Sequence, residues 1–341
     1  MAAKPRSLLL FVVVILLPLN SYSWGFYAHQ RINRLAVFSL PPEMVGFYKK
    51  HIRYITENAV NPDRRRYAVE GEAPRHYIDL DMYGDSALYK LPRFWQPAVE
   101  QYTEDTLMAY GIVPWHINFM KYQLTAAFKE RNLDKILRIS SDLGHYIADA
   151  CVPLHTTSNY NGQLTGQRGI HAFWESRLPE LFSDNYDFFV GQAQYLEQPQ
   201  LKAWELVASA HTALDSVLYF EKQLTQEFSE EKKYGFEVRN NITTRTYSRE
   251  FSEAYSQKLN GQVERQMRLA VYTVASFWYT AWVDAGQPSL GTLTNKLSPE
   301  ELHRLEMEKK EYDTGPHKSR EEDNRNSTIE LPAVMPRKEE V

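Results

Sequence analysis

Cysteine is almost missing: the 341-residue chain holds one, Cys151. A lone thiol excludes an intrachain disulfide framework and any multi-cysteine zinc ribbon, so the fold is not stabilised by covalent cross-links. An excess of positive charge is missing too. Lys and Arg number 39 against 43 Asp and Glu, a net charge of −4, which excludes a basic nucleic-acid coat protein. There is no Gly-x-Ser-x-Gly nucleophile elbow, no Gly-x-x-x-x-Gly-Lys phosphate loop and no His-Glu-x-x-His zincin helix. Strand signals are few after residue 24. The one apolar run near the N-terminus, the twelve residues Leu8–Leu19, is interrupted by Pro18 and falls short of the ~20 residues that a membrane span needs.

What the chain does have is apolar mass. Hydrophobic residues make up 43%, with seven Trp, 22 Tyr and 16 Phe, enough to pack one large core. Residues 1–23 read as a secretory leader: Lys4 and Arg6 form a basic start, Leu8–Leu19 the apolar centre, and Ser21-Tyr22-Ser23 a small-x-small cleavage site. Cleavage there makes Trp24 the mature N-terminus, and the expected location is secreted or periplasmic.

Helical periodicity dominates from Trp24 onward. The spacing predicts helices over 25–40, 42–56, 114–131, 133–151, 170–182, 200–228 and 249–285, the last carrying Leu269, Val271, Val274, Phe277, Trp278 and Trp282. Pro62, Pro74, Pro92 and Pro97 punctuate residues 57–113, which read as loops. Charged residues take over from Ser298, so residues 291–341 read as a charged, disordered tail following a single all-α domain over 24–290.

The remaining signal is a concentration of His and carboxylates. In DLGHYIADACVPLH, His145 and Asp149 stand four apart and share one helix face. Pro153 then breaks the helix, so His155 can turn back towards the same point. His171 and Glu175 in GIHAFWES repeat the four-residue spacing. Upstream are His29, Asp63 in NPDRRRY and His76 in RHYIDLD. Imidazole and carboxylate at this density suit a borderline divalent metal such as zinc, with three or four N/O ligands per site. Either pair alone is weak evidence, because one His-x-x-x-Asp is more often a surface pair. Five histidines and three carboxylates in one such pattern are more specific. His51, His116, His211, His303 and His317 fall outside it and read as ordinary histidines. Cys151 reads as a small core hydrophobe, and Arg64-Arg65-Arg66 as either a phosphate contact or an exposed turn.

Taken in order, these residues resemble the zinc-dependent phospholipase C and single-strand nuclease superfamily, over roughly residues 24–285. The resemblance is carried by Trp24 at the cleavage site with His29 following, by Asp63 ahead of His76-Tyr77-Ile78-Asp79, by His145, Asp149, Pro153, Leu154 and His155, and by His171 with Glu175. It implies an all-α fold and three zinc ions. Asp63, His76, His145 and Asp149 would hold the first, and Trp24 (through its amine and carbonyl), His29 and a bridging Asp149 the second. His155, His171 and Glu175 would hold the third. It further implies hydrolysis of a phosphodiester by a zinc-bridging hydroxide, with Asp149 as the bridge and Asp63 orienting the attack. The substrate would be a phospholipid head group or single-stranded nucleic acid, with no stable membrane insertion and no protein partner. Glu175 in the last ligand position and the lack of disulfides lean towards phospholipase. The spacing of Gly-Phe-Tyr-Ala between Trp24 and His29 leans towards nuclease. A secreted zinc-binding protein without activity is the remaining reading.

Overall fold

Pro41 and Pro42 end the first helical stretch and open the next, because proline lacks the amide that a helix interior needs but fits its first turn. In the computed structural model, which describes residues 26–66, 68–239 and 242–293 with His303 and Met307, α1 accordingly runs Phe26–Ala36 and α2 Pro42–Lys50. The expected leader, Trp24 and nearly all of the charged tail lie outside the described residues. The helix expected over 42–56 is broken at His51, where the backbone leaves helical geometry (φ −107°, ψ 16°) before α3, Ile52–Glu57. The proline-rich stretch is not bare loop. It folds into α4 (Asn61–Arg65), 3₁₀ turns at Ala73–His76 and Leu80–Tyr83, α5 (Ala87–Lys90), α6 (Trp95–Tyr102) and α7 (Glu104–Tyr110).

Two long antiparallel helices follow: α8 (Val113–Glu130) and α9 (Leu133–Asp149). Arg131 turns the chain with a left-handed φ of 56°, and the Asn132 side chain accepts from Lys135 N at 3.0 Å to cap α9. From Leu143 to Asp149 every residue of α9 is buried, so this helix runs through the core and its polar side chains must be met inside the protein. Beyond a 3₁₀ turn at Pro153–Thr156, a continuous helical stretch changes character. It runs as α10 (Ile170–Ala172), a π-helical turn (Phe173–Arg177) and α11 (Leu178–Phe182). The long α12 spans Pro199–Glu227.

Two further expectations are corrected. A short α13 (Glu230–Lys233) leads into an antiparallel hairpin of β1 (Tyr234–Arg239) and β2 (Ile242–Tyr247), with Tyr234 opposite Tyr247. Its root is tied down. The Lys233 ammonium meets Glu221 at 2.7 Å, Tyr247 stacks on Phe173 at 3.8 Å between centroids, and Arg177 holds Glu237. The helix expected over 249–285 is two helices, α14 (Arg249–Leu259) and α15 (Gln262–Asp284), because Asn260 and Gly261 both adopt left-handed backbone (φ 47° and 73°). α15 packs on α1, α8 and α9. There Trp278 stacks on Tyr48 at 4.8 Å and donates to Ser140 O at 3.0 Å. The described chain is thus mostly helical, and no helix in it is long and apolar enough to cross a membrane.

Candidate metal centre

The buried end of α9 presents His145 and Asp149 on one face, and the surrounding elements bring the other candidates to them. α1 supplies His29, α4 Asp63, and the 3₁₀ turn after it His76. The turn forced by Pro153 returns His155, as its position after a helix-breaking proline led one to expect. The π-helical turn begins two residues after His171 and includes Glu175, and these two stay in register, with His171 Nε2 to Glu175 Oε2 at 2.7 Å. Such turns recur at functional sites because the extra residue re-aims side chains.

Three sets of donors result, each with its ligand atoms within 4.8 Å of one another: His29, His145 and Asp149; Asp63, His76 and His145; and His155, His171 and Glu175. Asp149 joins the first two. Its Oδ1 lies 3.4 Å from His29 Nε2, and its Oδ2 lies 2.9 Å from His76 Nδ1 and 3.2 Å from His145 Nε2. It also reaches the third set, at 3.6 Å from His155 Nδ1. All eight candidate side chains expected from the sequence therefore lie together. Trp24, the ninth ligand, is outside the described residues.

The hydrogen-bond partners of the imidazoles fit a donor set for a cation. His145 Nδ1 donates to Ala59 O at 2.8 Å and His155 Nδ1 to His76 O at 2.7 Å, so in both rings Nε2 carries the lone pair inward. There each meets another imidazole nitrogen, His76 Nδ1 at 3.1 Å and His171 Nε2 at 2.9 Å. Facing lone pairs beside ionised carboxylates need a cation, which either protons or metal can provide. The electrostatics agree. Burial alone would push the His29 imidazole down, but the Glu175 hydrogen bond and the charges of Asp149 and Asp63 outweigh it and raise its pKa to about 9. Burial likewise opposes ionisation of Asp149 and Glu175, yet the neighbouring imidazoles hold both well below the usual carboxylate range. The site is buried except at its mouth, where the His171, Asp63 and Glu175 side chains are 21%, 16% and 12% exposed.

Several functional neighbours were not read from the sequence. Glu72 is fully buried against His76, Tyr146, Arg75 and Arg65, and Arg65 also holds Asp142 at 2.9 Å. Arg65 is thus neither a phosphate contact nor an exposed turn. Glu72 does carry a sequence signal, because it precedes His76 by four residues, the spacing used by the other pairs. Asn33 of α1 donates to Ser141 O at 3.0 Å and lies so close to α9 that any Cβ at Gly144 would overlap its Oδ1. Cys151 lines an apolar pocket with Ala28, Ile32, Ala148 and Met267 behind His29, and burial pushes its thiol pKa up, so it is core and not ligand.

Comparison with protein-family models finds none that matches the chain, and a search of curated proteins finds no match either. The functional reading rests on the sequence motifs and on the geometry of this cluster.

Proposed function

We propose that the protein is a secreted zinc-dependent phosphodiester hydrolase of the phospholipase C and single-strand nuclease type, with three zinc ions. The observation that carries this reading is the convergence of five histidines and three carboxylates with imidazole lone pairs turned inward. Asp63, His76, His145 and Asp149 would hold one ion. His29 and Asp149, with the Trp24 terminus, would hold the second, and His155, His171 and Glu175 the third. When bound, zinc supplies Lewis acidity, making water acidic near neutral pH and neutralising charge on a phosphodiester.

The chain's own groups supply the rest. Asp149 turns one oxygen to His29 and the other to His76 and His145, which suits the role of an anionic bridge between the first two ions. Asp63, open on one edge, would orient the attacking water as well as hold metal. His171 and Glu175 lie at the mouth, where a phosphodiester would enter, and a largely apolar pocket lies behind His29. No protein nucleophile is required, and the buried, unionised Cys151 offers none.

Glutamate and not aspartate at position 175 favours a phospholipid head group as substrate, and the Trp24–His29 spacing favours single-stranded nucleic acid as the second reading. Zinc-loaded protein beginning at Trp24 should be assayed side by side on short-chain phosphatidylcholine and single-stranded DNA. Hydrolysis of the lipid is expected. Cleavage of DNA alone would transfer the assignment to the nuclease reading, and zinc binding without either activity would leave a secreted metal-binding protein.

A further inference from the structure

Behind the cluster lies a second buried group of charges. Glu72 stands just before the 3₁₀ turn that ends in His76, and its side chain has no solvent-exposed surface. One carboxylate oxygen accepts from the Tyr146 hydroxyl and the other from Arg75 Nη1 at 2.6 Å, while Arg65 Nη2 lies 3.7 Å away. These neighbours are all donors, so the carboxylate is held as a hydrogen-bond acceptor. Its fourth neighbour is His76 Nε2 at 3.7 Å, a buried nitrogen without a hydrogen-bond partner.

The histidines of the cluster divide by which nitrogen points inward. His145 and His155 are held by backbone carbonyls at Nδ1, which leaves Nε2 for the cluster. His76 is reversed, with Nδ1 facing Asp149 at 2.9 Å and His145 at 3.1 Å. A neutral imidazole has one proton. If it sits on Nδ1 the ring cannot ligate, and if it sits on Nε2 the inner lone pair is free. An acceptor on the outer nitrogen decides between the two.

We propose that Glu72 is a positioning residue of the metal centre: it accepts the Nε2 proton of His76 and thereby presents Nδ1 to the ion shared with Asp63, His145 and Asp149. This rests on the reading of the cluster as a metal site, and not on which phosphodiester it cleaves. A carboxylate behind a ligating imidazole fixes both its tautomer and its orientation, and removing such a partner typically weakens metal binding by about 10- to 100-fold.

The test compares full mature protein with Glu72→Gln, Glu72→Asp and Asp142→Asn. Asp142→Asn is the structural control, because it removes a buried partner of Arg65 and does not touch His76. Zinc retention is measured by titration against a chromophoric chelator, and the cobalt(II)-loaded forms by their visible absorption. Glu72→Gln should weaken one zinc about 10- to 100-fold and alter the cobalt spectrum. Glu72→Asp, which keeps the charge, should fall between it and wild type, and Asp142→Asn should lower the melting temperature while leaving both metal readouts unchanged. If Glu72→Gln does not fold, weaker zinc binding in Glu72→Asp than in Asp142→Asn supports the role. Equal zinc affinity in wild type and the Glu72 variants, or equal weakening in the Glu72 and Asp142 variants, overturns it. Wild type that binds zinc but hydrolyses no phosphodiester removes the proposed function and leaves this comparison intact.

Discussion

At the residue scale, position 149 and position 175 are both carboxylates, but their surroundings give them different tolerance. Asp149 lies against imidazoles from four separate segments and is completely enclosed, so Asp149→Asn replaces a charge that two donor sets share. Glu175 lies at the mouth beside His29, His155 and His171, where a shorter carboxylate still reaches a neighbour. Asp149→Asn is expected to abolish phosphodiester turnover, roughly 10³-fold or more given the usual size of metal-centre charge stabilisation, and Glu175→Asp to keep partial activity. Equal, full rates in the two variants would show the roles to be misassigned. His145 with Asp149 and His171 with Glu175 were legible in the sequence because helical spacing of four converts directly into a shared face, and His155 because Pro153 turns the chain back. His29, Asp63 and His76 were singled out only by composition and the family resemblance. Glu72, Arg65 and Tyr146 were not legible, since their roles come from long-range packing that no local period encodes. His116 shows the same limit. Read as an ordinary histidine, it is buried beside Tyr146, and burial, with Arg75 nearby, pushes its pKa down to about 3. The unfolded chain takes up this proton near pH 6.5 but the folded protein only near 3, so His116 costs stability as pH falls through that window, approaching about 1.4 kcal/mol per pH unit. His116→Phe should flatten the fall in melting temperature between pH 6.5 and 4.5 relative to wild type. Parallel curves would refute it.

At the element scale, the long amphipathic helices were readable because burial of one stripe imposes a 3.6-residue period. Their interruptions were harder. Residues 249–285 keep an apolar period on both sides of Asn260-Gly261, and only the paired left-handed φ values reveal two helices meeting at an angle. Gly261 bears that turn without a side chain, and a Cβ there has only the mobile end of Arg265 nearby, so its cost is conformational and not steric. Gly261→Ala is therefore expected to lose about 1–2 kcal/mol by denaturant titration. Equal stability of Gly261→Ala and wild type would mean that the helices can rejoin through this point. Gly144 is the opposite case. Its φ is ordinary, but Asn33 of α1 occupies the space of a side chain, so Gly144→Ala should destabilise by about 1–3 kcal/mol through overpacking. The hairpin escaped the sequence reading because its strands are short and mostly polar, and its anchoring comes from Lys233, Phe173 and Arg177 far from its own turn.

At the scale of the whole molecule, the candidate ligands run from residue 29 to residue 175 and belong to α1, α4, α9, α10 and three irregular turns. Nothing after Glu175 joins the cluster among the described residues, and α12, α14 and the hairpin hold together through apolar packing and the Lys233–Glu221 pair. Metal should therefore stabilise the two parts unequally. The stretch over 57–79 has the least helix of the ligand-bearing segments. Its described part is short turns that carry Asp63 and His76 and are also tied to α9 through Arg65–Asp142 and Glu72–Tyr146, so a bound metal would add a cross-link in a chain without disulfides. A metal that binds only the folded state stabilises it by about 4 kcal/mol when present at a thousand times its Kd. For a protein of this size that corresponds to roughly 6–7 °C in Tm. Adding a strong chelator to the zinc-loaded protein should lower Tm by at least that much. Hydrogen exchange followed in the same chelator should show where the loss falls. Amides over 57–79 should exchange first, those of α1 and the C-terminal half of α9 next, and those of α12 and α14 last, because only the first group depends on the cluster for its position. Uniform loss of protection across all of them would mean that metal and core form a single cooperative unit. Unchanged protection over 57–79 would mean that these turns hold themselves and that the cluster contributes nothing to the fold.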